Sequence, residues 1–141
     1  MTTVAARNNV MAGDSRVTEG DSCERSTPKV RRIGEWVVGM SGNYFDMQRV
    51  WNWLEGGRKG RMPPTKRVTI LAGRNGALWY WEAVNGELVS VPVAEPYAAI
   101  GNGREVALGA MYAGAGAVKA VRAAIKHDAG SGGAVVSLRY G

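Results

Sequence analysis

Residues 2–14 read TTVAARNNVMAGD, two short strand-like runs separated by a pair of asparagines. Residues 2–7 have the small and β-branched side chains of a strand, and residues 10–12 begin a second one. Asn8–Asn9 between them is a turn signal. The sequence therefore predicts that the chain opens with a tight β-hairpin.

An amphipathic helix is predicted further along the chain. Asn43 is a good N-cap residue, and Asp46 places a negative charge in the first turn, where it is favoured. Apolar side chains then recur at helical spacing, and Gly56–Gly57 ends the helix. The apolar face of this helix consists of Met47, Val50, Trp51 and Leu54.

The other elements follow from β-rich runs, Asn-Gly turn signals and a second stretch of helical periodicity. We predict a polar loop over residues 19–28, strands over 29–33, 36–40, 68–72, 77–82, 87–91, 97–100 and 134–140, a basic connection over 57–67, and a helical region over 104–126 that Gly114–Gly116 can divide. Both helical regions are amphipathic. The simplest packing is an α+β fold, with two antiparallel sheets face to face and helices outside them. Residues 1–141 are predicted to form one domain.

Composition narrows the class of protein. The 141 residues carry a net charge of +6, with the basic residues dispersed, which disfavours a nucleic-acid interface. The single cysteine, Cys23, excludes a disulfide within the chain and a zinc site of several cysteines. We find no signal peptide and no apolar run long enough to span a membrane. The expectation is a cytoplasmic protein without a metal or other cofactor.

An ordered series of short motifs resembles the proteasome β-subunit and HslV peptidase family. The motifs are Thr2–Val4, Met11–Asp14, Lys29–Arg32, Val38–Gly42, Ala99–Gly103 and Asp128–Gly133. They span nearly the whole chain in the family's order and rough spacing. The resemblance implies the four-layer αββα sandwich of N-terminal nucleophile hydrolases, in which two antiparallel sheets are flanked by helices.

The resemblance identifies Thr2 as the nucleophile once Met1 is removed. A threonine hydroxyl is a poor nucleophile at neutral pH and needs a nearby base. A free α-amine has an ordinary pKa of about 7.7–8.0, so the amine of a terminal Thr2 can accept the hydroxyl proton. Peptide-bond cleavage by a threonine peptidase is the activity that this chemistry implies.

The resemblance also implies the supporting residues. Lys29 corresponds to the family's active-site lysine, whose charge would lower the pKa of the amine, and Asp14 to the carboxylate that holds this lysine. Gly42 corresponds to the glycine whose N–H stabilises the oxyanion. Asp128 and Ser131 correspond to the carboxylate and serine that sit behind the amine, where they orient the nucleophile and relay protons.

One departure from the family lies in another motif, at the Gly101-Asn102-Gly103 step. Asn102 replaces the usual serine of a Gly-Ser-Gly step, and it can orient the amine by hydrogen bonds but cannot relay a hydroxyl proton.

Three residues correspond to substrate contacts in the family. Val17 and Met40 fall where the first specificity pocket is lined, and Thr18 falls where the backbone binds substrate as an added strand. A second departure is length, because residues 56–67 replace a long family helix by a short basic connection. Exposed apolar surface at that place would favour self-association.

The partners implied are further copies of the chain, in a ring, together with a peptide or unfolded-protein substrate and an ATP-dependent unfoldase. Two alternatives stay open. The chain could be a non-catalytic assembly protein on the same scaffold, or an amidohydrolase of another substrate, because a fold does not fix an activity.

Overall fold

The structure is a computed structural model that describes residues 2–19, 23–128 and 131–141. Its elements are β1 (Thr3–Arg7), β2 (Val10–Gly13), β3 (Arg16–Glu19), β4 (Cys23–Ser26), β5 (Val30–Ile33), β6 (Trp36–Ser41), α1 (Tyr44–Glu55), β7 (Val68–Arg74), β8 (Ala77–Val84), β9 (Glu87–Pro92), β10 (Tyr97–Gly101), α2 (Arg104–Tyr112), α3 (Ala117–His127) and β11 (Val136–Arg139). Met1, residues 20–22 of the predicted polar loop and residues 129–130 of the last motif lie outside the described residues.

Two antiparallel sheets dominate the fold, one with the strand order β10-β1-β2-β11 and one with the order β5-β6-β7-β8-β9. The predicted opening hairpin is confirmed, because β1 pairs with β2 and places Ala6 opposite Met11. Asn8 and Asn9 form its turn, both at positive φ. The free side of β1 pairs with β10, so β1 lies between two strands of the four-stranded sheet.

Alternation along the strands separates three apolar layers. The layer between the two sheets includes Val4, Met11, Val37, Leu71 and Tyr140. Helices α2 and α3 pack on the outer face of the four-stranded sheet, largely through alanines. Helix α1 packs on the outer face of the five-stranded sheet. The predicted four-layer αββα sandwich is therefore confirmed.

Helix α1 forms as predicted. The Asn43 side chain accepts hydrogen bonds from the backbone N–H groups of Phe45, at 3.0 Å, and Asp46, at 3.3 Å. The predicted apolar face is buried against the five-stranded sheet, and the helix ends before Gly56. The predicted division of the second helical region is also confirmed, since α2 and α3 are separated at residues 113–116.

The connection between α1 and β7 lies on the outer face of the five-stranded sheet. Met62 is buried in the same cluster as the apolar face of α1. The Trp53 indole donates to the Gly60 carbonyl at 3.3 Å, and the Arg58 guanidinium lies 4.9 Å from the Trp81 ring centroid. Residues 57–67 thus cover apolar surface of the five-stranded sheet at the place where the resemblance implied a longer helix.

Two predictions were wrong in part. Residues 23–26, assigned to the polar loop, form β4, which pairs with β3 through the backbone and places Arg16 opposite Ser26. An antiparallel ladder of this kind needs no apolar alternation, so the hydrophobic pattern gave no signal. The last strand is also shorter than predicted, because only residues 136–139 pair with β2.

Within the described ranges, no helix combines the length and the apolar character needed to cross a membrane.

Candidate active site

The first residues of the chain lie against the β10–α2 junction. Thr2 and Thr3 are both buried, and the Gly103 N–H approaches the Thr2 carbonyl oxygen at 3.4 Å. A Cβ on Gly101 would lie 2.0 Å from that oxygen, and one on Gly103 would lie 1.9 Å from the Thr3 hydroxyl oxygen. Both positions therefore require glycine, and these two glycines let the N-terminal strand pack closely here.

A buried ion pair lies beside this strand. The Lys29 ammonium donates to both oxygens of the Asp14 carboxylate at 3.1 Å, and the two side chains are 1% and 0% exposed. The same carboxylate accepts the backbone N–H groups of Thr3 and Gly132, each at 3.0 Å. These donors compensate the burial of the Asp14 charge, which would otherwise be costly.

Burial lowers the pKa of the Lys29 ammonium below its ordinary value, because water no longer solvates the charged form. The Asp14 charge and its hydrogen bonds oppose this change, and the Arg16 charge adds to it. The Lys29 ammonium binds the Asp14 carboxylate in a place where little solvent screens its field.

A second buried group reaches the same strand from the end of α3. The Ser131 hydroxyl donates to the Asp128 carboxylate at 2.8 Å, and its oxygen lies 2.7 Å from the Thr3 hydroxyl oxygen. The next residue, Gly132, accepts the backbone N–H groups of Ser15 and Arg16. The segment that carries Ser131 is therefore fixed to the segment that carries Asp14.

Gly42 lies at the junction of β6 and α1 and is exposed. The preceding residue, Ser41, lies near Thr2. A Cβ built on Gly101 would be 3.3 Å from the Ser41 hydroxyl oxygen and 2.0 Å from the Thr2 carbonyl oxygen. Gly42 is followed by Asn43, which caps α1. The N-terminus of a helix presents N–H groups and a partial positive charge, which suits an anionic oxygen.

The candidate substrate residues are more dispersed. Val17 is buried in β3, opposite Arg25, and Thr18 is paired with Glu24 in the same hairpin. Met40 is 0% exposed in the core beneath α1. Asn102 is exposed between the two glycines that contact the N-terminal strand. The roles of these four residues stay predictions.

The structure thus places Asp14, Lys29, Asp128 and Ser131 around the strand end that carries Thr2 and Thr3. The sequence did not indicate the role of Thr3, which contacts both the Asp14 and the Ser131 groups. Gly132 and Gly101 were quoted within motifs without a contact assigned to them. A steric or hydrogen-bonding role between distant segments leaves no local pattern, so a single sequence carries no signal for it.

Solved structures with the same architecture match almost the whole chain. BPH from Thiobacillus denitrificans, in complex with epoxomicin, is 19% identical, with 99% of this chain and 98% of that chain covered and a TM-score of 0.65. HslV from Trypanosoma brucei is 22% identical, with 98% of each chain covered and a TM-score of 0.62. Anbu from Pseudomonas aeruginosa, a helical assembly, is 16% identical, with 99% of this chain and 81% of that chain covered and a TM-score of 0.71.

Comparison with protein-family models gives no match, and comparison with curated protein sequences gives no significant match. At these identities, the likeness to solved structures establishes the fold. The chain has the αββα fold of HslV and the related proteasome-like proteins, as its motifs indicated.

Proposed function

We propose that this protein is a threonine peptidase of the proteasome type, in which Thr2 attacks a peptide carbonyl after Met1 has been removed. The observation that supports this most directly is the buried Asp14–Lys29 pair, whose carboxylate also binds the Thr3 N–H. That nitrogen is bonded to the Thr2 carbonyl carbon. A cation is therefore held at short range from the residue that would bear both the hydroxyl and the free amine.

The amine of Thr2 acts as the base in this mechanism. It takes the proton of the Thr2 hydroxyl, directly or through water, as the oxygen attacks the substrate carbonyl carbon. The Lys29 charge favours the neutral form of the amine by repelling a second positive charge. The protonated amine then gives its proton to the leaving nitrogen, and water hydrolyses the resulting ester by the same route in reverse.

The tetrahedral intermediate carries a negative oxygen that needs hydrogen-bond donors. The Gly42 backbone N–H serves this purpose in the proposal, helped by the N-terminal end of α1. Continuing the alternation of β1 by one residue puts Thr2 on the face of Val4, which is the face towards the five-stranded sheet and Ser41. The nucleophile and the oxyanion site then lie in the same space.

Labelling with an epoxyketone tests the proposal. The BPH structure contains epoxomicin, so epoxomicin is the probe of choice, and intact-mass analysis of the purified chain reads out both the loss of Met1 and the adduct. We expect the wild type and Thr2→Ser to be labelled and to hydrolyse fluorogenic peptides. Thr2→Ala should do neither, because it lacks the hydroxyl.

Retention of Met1, or equal peptide hydrolysis by the wild type and Thr2→Ala, would refute this mechanism. A folded wild type without labelling or hydrolysis would instead favour the non-catalytic assembly protein. Turnover of small amides but not of peptides would favour the amidohydrolase alternative.

We also propose that the chain acts as a homo-oligomer. The Anbu neighbour forms a helical assembly, and in a closed ring the site would face an enclosed space that admits unfolded protein. Sedimentation velocity on the purified chain measures this directly, and a monomer at every concentration would contradict it. An ATP-dependent unfoldase as partner stays a prediction from the resemblance alone.

A further inference from the structure

The Thr3 hydroxyl lies where the two buried groups of the site meet, although no step of the mechanism above uses it. Thr3 is 0% exposed. Its backbone N–H donates to Asp14, and its hydroxyl oxygen lies 2.7 Å from that of Ser131. One residue thus contacts both the Asp14–Lys29 pair and the Asp128–Ser131 pair.

The direction of these hydrogen bonds follows from counting hydrogens. Ser131 has a single hydroxyl hydrogen, and it is donated to the Asp128 carboxylate. The short contact between the Ser131 and Thr3 oxygens therefore needs the Thr3 hydrogen. These hydrogen bonds run in series from Thr3 to Ser131 to Asp128, and such a series strengthens each of its hydrogen bonds.

Close packing holds the Thr3 side chain in this arrangement. The Gly103 backbone leaves no room for a Cβ beside the Thr3 hydroxyl oxygen, and Ala124 of α3 packs at the same place. A β-branched side chain has few χ1 rotamers. The hydroxyl therefore has a fixed position relative to α3 and β10, and so does the strand end that bears it.

We propose that Thr3 is a positioning residue: it fixes the orientation of Thr2 by binding the Asp14–Lys29 pair through its backbone and the Asp128–Ser131 pair through its hydroxyl. This inference rests on the proposed function. Thr2 is only one peptide unit away, and a free chain terminus is otherwise poorly ordered. A displacement of about 1 Å at a reacting group can cost about 100-fold in rate, so this anchoring matters for turnover.

Thr3→Val is the main test, because valine keeps the shape and β-branching while removing the hydroxyl. We expect kcat for a fluorogenic peptide to fall roughly 10- to 100-fold, with KM changed by less than about twofold. Thr3→Ser, which keeps the hydroxyl, should retain most of the wild-type kcat. A residue that only supports the fold would not give this split, nor rescue by serine.

The matched control is Thr65→Val. Thr65 is also a buried threonine, but it lies in the α1–β7 connection and its hydroxyl has no hydrogen-bond partner among the described residues. We expect kcat and KM of Thr65→Val to equal those of the wild type. Both valine variants are compared by thermal unfolding, so that a loss of folded protein is separated from a loss of turnover.

Ser131→Ala completes a double-mutant cycle with Thr3→Val. If the two hydroxyls act through one hydrogen bond, the double variant should be no slower than the slower single variant. Should Thr3→Val not fold, Thr3→Ser and Ser131→Ala decide the question. A slow serine variant or a fully active alanine variant would overturn the inference.

The outcomes for Thr3 and for the proposed function are distinguishable. A wild type that turns over peptide and takes up epoxomicin, together with a fully active Thr3→Val, overturns the positioning role but leaves the peptidase intact. A folded wild type without turnover or labelling overturns the peptidase, and the positioning role with it.

Discussion

Two groups of residues hold the N-terminal strand, and they differ in charge. The Asp14–Lys29 pair is a fully buried ion pair with contacts of 3.1 Å. The Asp128–Ser131 pair is a hydroxyl bound to a half-buried carboxylate at 2.8 Å. Both reach Thr3, the first at its backbone nitrogen and the second at its hydroxyl.

This difference separates two tasks within one site. A buried charge acts on the pKa of its neighbours over several ångströms, because little solvent screens it. A hydroxyl acts only along its hydrogen bonds and so fixes direction. The first pair is therefore suited to tuning the Thr2 amine, and the second to orienting the residue that carries it.

Removing the Lys29 charge should have the largest effect on stability and on peptide hydrolysis. Lys29→Met leaves the buried Asp14 carboxylate without its cation, so we expect stability to fall by about 3–5 kcal/mol. Peptide hydrolysis should fall by up to the range of general acid–base catalysis, roughly 100- to 10,000-fold, because the Thr2 amine then stays protonated and no longer serves as the base. Urea denaturation and kcat measurements at one pH check both effects.

The double variant Asp14→Asn/Lys29→Met sharpens this result. It removes both charges, so the unfolding free energy should recover in part relative to Lys29→Met. Activity should not recover, because the cation is still missing. Recovery of activity in the double variant would show that Lys29 serves only to neutralise Asp14.

Much of the fold could be predicted because its signals are local. Each signal acts within a few residues. These signals are the Asn43 cap, the Asn75-Gly76 and Asn85-Gly86 steps, and the spacing of apolar residues in α1. They correspond to an observed cap, two observed turns and an observed buried face. Strand β4 was missed because its pairing is polar and depends on backbone groups, which every sequence has.

The site could be predicted only in part, for a related reason. Asp14, Lys29 and Ser131 were named because short motifs carry them, and the structure places all three around Thr3. The bond between Thr3 and Ser131 joins residues 128 positions apart, so neither local sequence indicates it. Gly103 was quoted only as the end of a motif, whereas its missing Cβ makes room for the Thr3 hydroxyl.

A glycine variant, Gly103→Ala, should disrupt the second group without replacing any of its hydrogen-bonding atoms. In Gly103→Ala the new Cβ would lie 1.9 Å from the Thr3 hydroxyl oxygen, so the strand end must shift. We expect a loss of about 1–3 kcal/mol in stability, with a fall in kcat as Thr3 leaves Ser131. Thermal unfolding and peptide hydrolysis measure the two effects.

Gly109→Ala is the matched control. Gly109 lies exposed within α2, and a Cβ there would meet nothing within 4 Å. Alanine is the better helix former, so this variant should be more stable by about 0.5–1 kcal/mol, with unchanged kcat. Equal behaviour of the two variants would contradict the steric role of Gly103.

The smallest expected effect is a pH dependence that belongs to the first group alone. Because burial lowers the pKa of Lys29 in the folded state, the unfolded chain holds more protons between that lowered value and the ordinary lysine pKa of about 10.5. Stability then rises with pH through this window, by at most about 1.4 kcal/mol per pH unit for one group. Above about pH 10 the trend is opposed, since burial raises the pKa of Tyr80 and of Tyr140, and their unfolded forms ionise first.

Urea denaturation from pH 8.5 to 9.5 lies above the ordinary pKa of a free α-amine, about 7.7–8.0, and so separates the lysine contribution from that of the Thr2 amine. The wild type should gain stability with pH relative to Asp14→Asn/Lys29→Met, which lacks the titrating lysine and its carboxylate partner. Ser131→Ala keeps Lys29 and should follow the wild-type slope at a lower stability. If the wild type and the double variant share one slope, burial does not lower the pKa of Lys29, and the Asp14 charge and its hydrogen bonds fully offset the desolvation of the ammonium.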